Sequence, residues 1–183
     1  MHNKAVFHTM KALNGCGFPV LRFNFRGAGL SQGEYDRGAG EVDDVRAALN
    51  WLHAEFHLPL VFAGFSFGAA VGLRAAYADD RVRALIGMGL PVAPFVADTE
   101  DQSVYTFDFL RDCTKPKLFV SGARDRFGPQ AKLEALIASL PEPKKLVFIE
   151  GADHFFDGRL RELRQAIEVW IKTAVSHQPS AFS

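Results

Sequence analysis

The sequence contains only two cysteines, Cys16 and Cys113, and they lie far apart in the chain. Two isolated thiols cannot build the disulfide framework of a small secreted domain or the ligand set of a structural zinc site. Each is expected to be a small apolar residue, buried or half-buried in the core. We therefore expect a protein of a reducing compartment that holds no metal.

Long apolar runs and an excess of one charge are also missing. Lys and Arg total 21 and Asp and Glu total 21, so no net field attracts nucleic acid or an anionic membrane. No apolar run is long enough to span a bilayer, and the first residues do not show the pattern of a secretion signal. We therefore expect a cytoplasmic protein that binds neither membrane nor nucleic acid.

The order of the apolar segments indicates the fold. The chain of 183 residues, with 48% hydrophobic composition, is long enough for one domain with a sizeable core. Predicted strands at 18–25, 60–63, 83–89, 117–121 and 146–149 alternate with predicted helices at 3–15, 41–56, 69–77, 129–140 and 158–174. Apolar strands separated by helices indicate an α/β three-layer sandwich, with a mostly parallel sheet covered on both faces. We assign 1–175 to this domain and 176–183 to a mobile tail.

Residues 60–72 are the most informative stretch. An apolar strand leads into Gly-Phe-Ser-Phe-Gly at 64–68, and a small-residue helical pattern follows at once. So tight a strand-to-helix turn holds Ser66 in a strained conformation and needs glycines beside it. It exposes the Ser66 hydroxyl above the sheet and directs the Phe67 amide to where an oxyanion would form. A chance match would make Ser66 a simple turn residue, but the flanking strand and helix favour a nucleophile.

A serine nucleophile needs a base, and the base needs an acid that orients it. Asp125 follows the predicted strand 117–121, and His154 follows the last predicted strand. Because the carboxyl ends of parallel strands meet at one edge of a sheet, we expect Ser66, Asp125 and His154 to converge there. The simpler alternatives are a helix cap for Asp125 and an ordinary loop residue for His154.

Two other clusters favour structural roles. The glycine-rich loop 26–40 has the spacing Gly-x-Gly-x-x-x-Gly, which departs from the dinucleotide fingerprint, and no helix opens directly after it. We interpret it as a turning loop at the rim of a site and expect no cofactor. The acids Glu41, Asp43 and Asp44 could suggest a metal site, but acidic residues are common in a first helical turn because they complement the helix dipole.

Four motifs together resemble the small, cap-less members of the α/β-hydrolase superfamily, close to bacterial dienelactone-hydrolase-like esterases. They are Phe-Asn-Phe-Arg-Gly-Ala-Gly-Leu-Ser-Gln-Gly-Glu at 23–34, the turn at 64–68, Ser-Gly-Ala-Arg-Asp at 121–125 and Gly-Ala-Asp-His-Phe-Phe at 151–156. The resemblance extends from about Asn3 to Ala174. It implies Ser66 as nucleophile, Asp125 as acid, His154 as base and the Phe67 amide as one oxyanion donor.

The resemblance also implies a strand that this sequence does not contain. In the family a strand precedes the first helix, lies in the middle of the sheet between the strands ending here at Phe25 and Ala63, and leads into the loop with the second oxyanion donor. Without this strand, the backbone donors and acceptors of its two neighbouring strands would lack partners, at a cost of about 1–3 kcal/mol for each buried group. Either the sequence starts at an internal methionine of a longer protein, which we favour, or a five-stranded sheet re-pairs.

The predicted function is that of a serine hydrolase acting on an ester or thioester of a small to medium apolar acyl group. The phenylalanines expected at the rim of the site are Phe65 and Phe155, with Phe67 and Phe156 beside them. Segment 90–114 is predicted to be irregular except for a short helix near 104–110. It is too short to form a separate lid domain. Alternatives are a weak or inactive hydrolase remnant with a binding role, and an acyltransferase or peptidase with the same three residues.

Overall fold

The computed structural model of the protein describes residues 3–93 and 105–177. The helices are α1 (Lys4–Gly15), α2 (Ala39–Phe56), α3 (Phe67–Ala76), α4 (Gln130–Ala138) and α5 (Leu160–His177). The strands are β1 (Leu60–Phe65), β2 (Val82–Met88), β3 (Lys117–Gly122) and β4 (Lys144–Ile149). A short 3₁₀ helix, Asp108–Asp112, precedes β3.

The strands form one sheet in the order β1-β2-β3-β4, and all neighbouring strands are parallel. Between β1 and β2, Ala63 lies opposite Ile86 and Gly64 lies opposite Gly87. Every residue of β3 is buried, as is every residue of β2 except Arg83, because helices cover both faces of the sheet. The parallel arrangement places the carboxyl ends of all the strands at the same edge.

The helices divide between the two faces according to their apolar sides. On one face, α1 and α5 pack against the sheet in a cluster that includes Ala12, Ile86 and Ile167. On the other face lie α2, α3 and α4, whose cluster includes Val45 and Ile137. The three-layer α/β sandwich predicted from the sequence is therefore confirmed.

The prediction of a strand at 18–25 is wrong. Within the described residues this segment pairs with no strand, and β1 forms the edge of the sheet beside β2. Cavities lined by both 18–25 and β1 lie between them. The apolar pattern of 18–25 suits a strand, but a strand also needs a neighbouring backbone within hydrogen-bonding distance. The sheet has not re-paired around this segment.

The remaining differences are at the ends of elements. Residues 94–104 lie outside the described part, and the short helix expected near 104–110 is found as the 3₁₀ helix Asp108–Asp112. Helix α5 continues to His177, into the predicted tail, and 178–183 lie outside the described residues. None of the helices in the described part of the chain has both the length and the apolarity needed to cross a membrane.

Candidate active site

Ser66 occupies the sharp turn between β1 and α3. Its backbone has φ 53° and ψ −122°, a conformation that L-residues rarely adopt. The turn is held by the Ser66 N–H, which donates to the Met88 carbonyl at 2.8 Å, and by the Ser66 carbonyl, which accepts from Ala69 and Ala70. Strain that the surrounding hydrogen bonds maintain in this way is characteristic of functional positions.

His154 connects Ser66 to Asp125 at the carboxyl edge of the sheet. Its Nε2 lies 2.9 Å from Ser66 Oγ, and its Nδ1 lies 2.8 Å from Asp125 Oδ2. An ionised carboxylate can only accept, so Nδ1 carries the proton and Nε2 is left to accept from the serine hydroxyl. All three residues are buried, and they are brought together from the turns after β1, β3 and β4.

Asp125 is held by donors on both of its oxygens. Oδ1 accepts the backbone N–H of Phe127 at 2.8 Å and that of Gly128 at 3.2 Å. The hydroxyl of Ser121 donates to Oδ2 at 3.4 Å, beside the bond from His154. These contacts fix the carboxylate plane, and the carboxylate in turn fixes the imidazole.

Three phenylalanine rings surround the imidazole of His154. The centroids of Phe65, Phe127 and Phe155 lie 5.0, 4.7 and 5.1 Å from that of His154. Phe65 and Phe155 also contact each other, with centroids 6.0 Å apart. The rings restrict the rotation of the imidazole and limit the approach of water to it. Because Phe155 is 53% exposed, this apolar enclosure reaches the surface.

Phe67 is the first residue of α3, directly after Ser66. Amides in a first helical turn have no acceptor inside the helix, and the helix dipole adds partial positive charge there. The Phe67 ring packs against Phe25 and Tyr35, at centroid distances of 5.5 and 5.7 Å. This packing anchors the start of α3 to the end of segment 18–25 and to the loop that follows it.

Comparison with known proteins identifies the fold family. The family model described as "Alpha/beta hydrolase domain" matches residues 1–180. The chain belongs to the α/β-hydrolase family. A structure described as an alpha-beta serine hydrolase homologue from Coxiella burnetii is 37% identical, with a TM-score of 0.78 over 92% of this chain and 76% of that one. A member of the α/β serine hydrolases without lid, from Xanthomonas campestris, is 34% identical, with a TM-score of 0.80 over 94% of this chain and 74% of that one.

Sequence relatives of this α/β-hydrolase are longer than the region they share with it. An uncharacterised protein of Rickettsia prowazekii is 33% identical over 97% of this chain and 74% of its own length. A protein of Mycobacterium tuberculosis is 27% identical over 81% of this chain and 59% of its own length. The chain therefore spans between about half and three quarters of the curated relatives it matches.

The loop 26–40 of this α/β-hydrolase is held by two carboxylates of α2. Asp44 accepts from the guanidinium of Arg26 at 2.8 Å and from its backbone N–H at 2.9 Å. The side-chain hydrogen bond from Arg26 lowers the pKa of Asp44 below its ordinary value. Burial raises the pKa of Glu41, but hydrogen bonds from backbone amides, including those of Asp36 and Gly38, outweigh it, so the pKa of Glu41 is lowered. The acids thus have structural roles at a turning loop.

No group of three or more metal-binding side chains is found within 3–93 and 105–177.

The structure corrects one expected rim residue and adds two contacts. Phe156 is fully buried in the core between α5 and the sheet, so its expected place at the rim is wrong. The error arises because side chains after β4 alternate in direction, so that Phe155 faces solvent and Phe156 faces the core. Ser121 and Phe127, which contact Asp125 and His154, were not predicted from the sequence. Their proximity to Asp125 in the chain was the available signal.

Proposed function

We propose that this α/β-hydrolase is a serine esterase or thioesterase acting on small to medium apolar acyl groups. Ser66 is the nucleophile, His154 the general base and Asp125 the acid that orients it. The observation that supports this most is the unbroken hydrogen-bonded series, with 2.9 Å from Ser66 Oγ to His154 Nε2 and 2.8 Å from Nδ1 to Asp125.

The proposed reaction has two acyl transfers. Ser66 Oγ attacks the carbonyl carbon while His154 Nε2 takes the hydroxyl proton, and ionised Asp125 stabilises the imidazolium. When the tetrahedral intermediate collapses, His154 gives that proton to the leaving alcohol or thiol, and an acyl enzyme remains. Water then attacks the acyl carbon with His154 again as base, which releases the acid and restores the Ser66 hydroxyl.

The negative charge on the carbonyl oxygen is stabilised at the first turn of α3. The Phe67 amide is the donor we assign there, and the helix dipole adds to its effect. Loss of one oxyanion donor typically lowers turnover by about 10²–10³, so this amide is expected to make a large contribution to the rate.

The rings at the rim favour an apolar acyl group. Phe65 and Phe155 lie beside the imidazole, and Phe155 is open to the surface. An acyl chain bound against these rings removes apolar area from water at about 25 cal/mol per Å². Selectivity should thus come from the acyl chain more than from the leaving group.

The test is hydrolysis of p-nitrophenyl acetate by the wild type, Ser66→Ala and Ser139→Ala. We expect Ser66→Ala to fall to background. Ser139→Ala, which removes an exposed hydroxyl bonded to the Leu136 carbonyl, should keep wild-type rates. Thermal melting shows whether each variant is folded. Equal activity of Ser66→Ala and the wild type would exclude Ser66 as the nucleophile.

A fluorophosphonate probe distinguishes a hydrolase from a binding protein built on the same fold. Stoichiometric labelling at Ser66, located by peptide mass spectrometry, supports an activated serine. A folded wild-type chain that is not labelled supports the non-catalytic alternative. Hydrolysis in the presence of added alcohols or amines, with analysis of the products, separates a hydrolase from an acyltransferase.

A further inference from the structure

Strand β2 ends at the candidate active site without contributing any of its three residues. Its last residue, Met88, accepts the backbone N–H of Ser66 at 2.8 Å. The next residue, Gly89, is buried and donates its own N–H to the Val120 carbonyl of β3 at 2.8 Å. The backbone that leaves β2 is therefore fixed between the serine turn and the strand that precedes Asp125.

The segment after β2 also holds the turn that contains Asp125. The Phe127 carbonyl accepts the N–H groups of both Val92 and Ala93, at 2.9 and 3.0 Å. Phe127 in turn donates its N–H to Asp125 Oδ1 and packs its ring against His154. The backbone after β2 thus contacts the supports of all three proposed catalytic residues.

Gly89 lies directly against the imidazole of His154. A β-carbon at position 89 would be 3.1 Å from His154 Cε1, 3.3 Å from His154 Nδ1 and 3.0 Å from Cε2 of Phe65. Carbon atoms in favourable contact are separated by about 3.5–4.0 Å. The notch between the two rings is therefore too narrow for a side chain, and an added methyl group would push the rings apart.

The imidazole has little room to move away from such a methyl group. The rings of Phe127 and Phe155 pack on it with centroid distances of 4.7 and 5.1 Å. Its Nδ1 is held 2.8 Å from Asp125 Oδ2, and its Nε2 is held 2.9 Å from Ser66 Oγ. A displaced ring would therefore lengthen one or both of these hydrogen bonds.

The backbone conformation of Gly89 is a second reason for a glycine at this position. Its φ is 55°, in the left-handed region that favours glycine. Asparagine tolerates this region better than alanine does. Backbone strain alone would thus make asparagine the milder substitution. Contact with the imidazole would instead make asparagine at least as harmful as alanine, because its side chain is larger.

We propose that Gly89 is a positioning residue for His154, since the absence of a side chain lets the imidazole reach Ser66 and Asp125 at the same time. The proposal rests on the catalytic role proposed for His154. A misplacement of about 1 Å can cost about 10²-fold in rate. A β-carbon at position 89 needs a displacement of some tenths of that size or more, so we expect kcat to fall by about tenfold or more.

The test compares Gly89→Ala and Gly89→Asn with the control Gly17→Ala. Gly17 has φ 90°, and a β-carbon there would meet no described residue beyond its chain neighbours within 4 Å, so the control adds backbone strain without a new contact. With p-nitrophenyl acetate, both Gly89 variants should lose about tenfold or more in kcat, with KM within about threefold of the wild type. Gly89→Asn should lose at least as much as Gly89→Ala, and Gly17→Ala should keep the wild-type kcat.

Proton NMR gives a second readout that does not depend on turnover. The His154 Nδ1–H, hydrogen-bonded to Asp125, should give a resonance far downfield in the wild type. The resonance should move upfield or disappear in the Gly89 variants and stay unchanged in Gly17→Ala. If the wild type does not hydrolyse the ester, the proposed function fails, but this resonance still tests the position of the ring.

Three results would overturn the proposal. The first is wild-type kcat or an unchanged resonance in Gly89→Ala. The second is a smaller loss of kcat in Gly89→Asn than in Gly89→Ala, which would assign the effect to backbone strain. The third is failure of both Gly89 variants to fold in thermal melting while Gly17→Ala folds, which would make Gly89 a glycine needed for folding alone.

Discussion

Gly64 and Gly68 approach each other so closely, where β1 passes α3, that a β-carbon on Gly64 would lie 2.6 Å from the Gly68 carbonyl oxygen. The other nearest atoms are also backbone, the Cα and N of Ala69, at 2.7 and 2.8 Å. Backbone cannot move aside as a flexible side chain can. The contact therefore requires a glycine at position 64, and it holds the start of α3 against the end of β1, on either side of Ser66.

We expect Gly64→Ala to lower the free energy of unfolding by about 1–3 kcal/mol, because the added methyl group overpacks this contact. Gly68→Ala is the matched control, since a β-carbon there would meet only the Phe25 ring at 3.7 Å, an ordinary contact. It should change stability by less than about 1 kcal/mol. Urea denaturation of both variants makes the measurement. Equal destabilisation would contradict the assigned packing.

Asp125→Asn should lower kcat for p-nitrophenyl acetate by on the order of 10⁴-fold, because an amide can donate to His154 Nδ1 and so favours the wrong tautomer. The control is Asp153→Asn in the neighbouring turn, where the carboxylate accepts the N–H groups of Phe155 and Asp157. The side-chain oxygen of asparagine can accept the same hydrogen bonds, so kcat should stay within about threefold of the wild-type value. Full activity of Asp125→Asn would remove the acid from the proposed mechanism.

Phe155→Ala should raise KM for a butyrate or hexanoate ester by about 5–30-fold, with a smaller effect on an acetate ester. The reason is that a longer acyl chain buries more apolar area against the Phe155 ring and so gains more binding free energy from it. Leu30→Ala is a suitable control, because this loop leucine is 100% exposed. Steady-state kinetics with p-nitrophenyl esters of increasing length tests the expectation. An identical change in KM for every chain length would show that Phe155 does not contact the acyl group.

Asp44→Asn should be destabilising at neutral pH and lose that effect in acid. The folded-state pKa of Asp44 lies below the ordinary value of 3.8 because of the hydrogen bond from Arg26. The folded state therefore favours the ionised form, and this stabilisation is present above pH 3.8 and lost as the pH falls through the folded-state pKa. The urea midpoints of wild type and variant should converge over that range.

Asp43→Asn is the neighbouring control for this pH dependence. Asp43 pairs with Arg46 on the exposed side of α2, where 67% of the Asp43 side chain and 58% of the Arg46 side chain are accessible. An exposed pair of this kind contributes little to stability. A midpoint difference that stays constant with pH for Asp44→Asn would show that its ionisation is not linked to folding.

Much of the fold could be predicted because its signals are local. The apolar runs of β1 to β4 and the periodicity of the helices located these elements to within a few residues. The turn at 64–68 could be recognised because its glycines lie on both sides of a serine, as a tight strand-to-helix turn requires. Asp125 and His154 could be expected beside Ser66 because each follows a strand, and parallel strands end at one edge.

What could not be predicted depends on partners distant in the chain. Segment 18–25 has the composition of a strand, yet its pairing depends on a neighbour that the described sheet does not provide. Phe155 and Phe156 are the same residue type side by side, and only the packing of α5 decides that Phe156 is core and Phe155 rim. The enclosure of His154 by Phe65 and Phe127 joins turns of three different strands.

The sequence by itself determined the parallel α/β sandwich and the serine at its sharpest turn, because periodicity and turn geometry are properties of short stretches of chain. The tertiary structure alone decided which groups meet. It placed His154 Nε2 2.9 Å from Ser66 Oγ across 88 residues, and it left cavities between the outer edge of β1 and segment 18–25. Both outcomes are set by how the layers pack, since a hydrogen bond or a gap in a sheet exists only between segments that folding brings together.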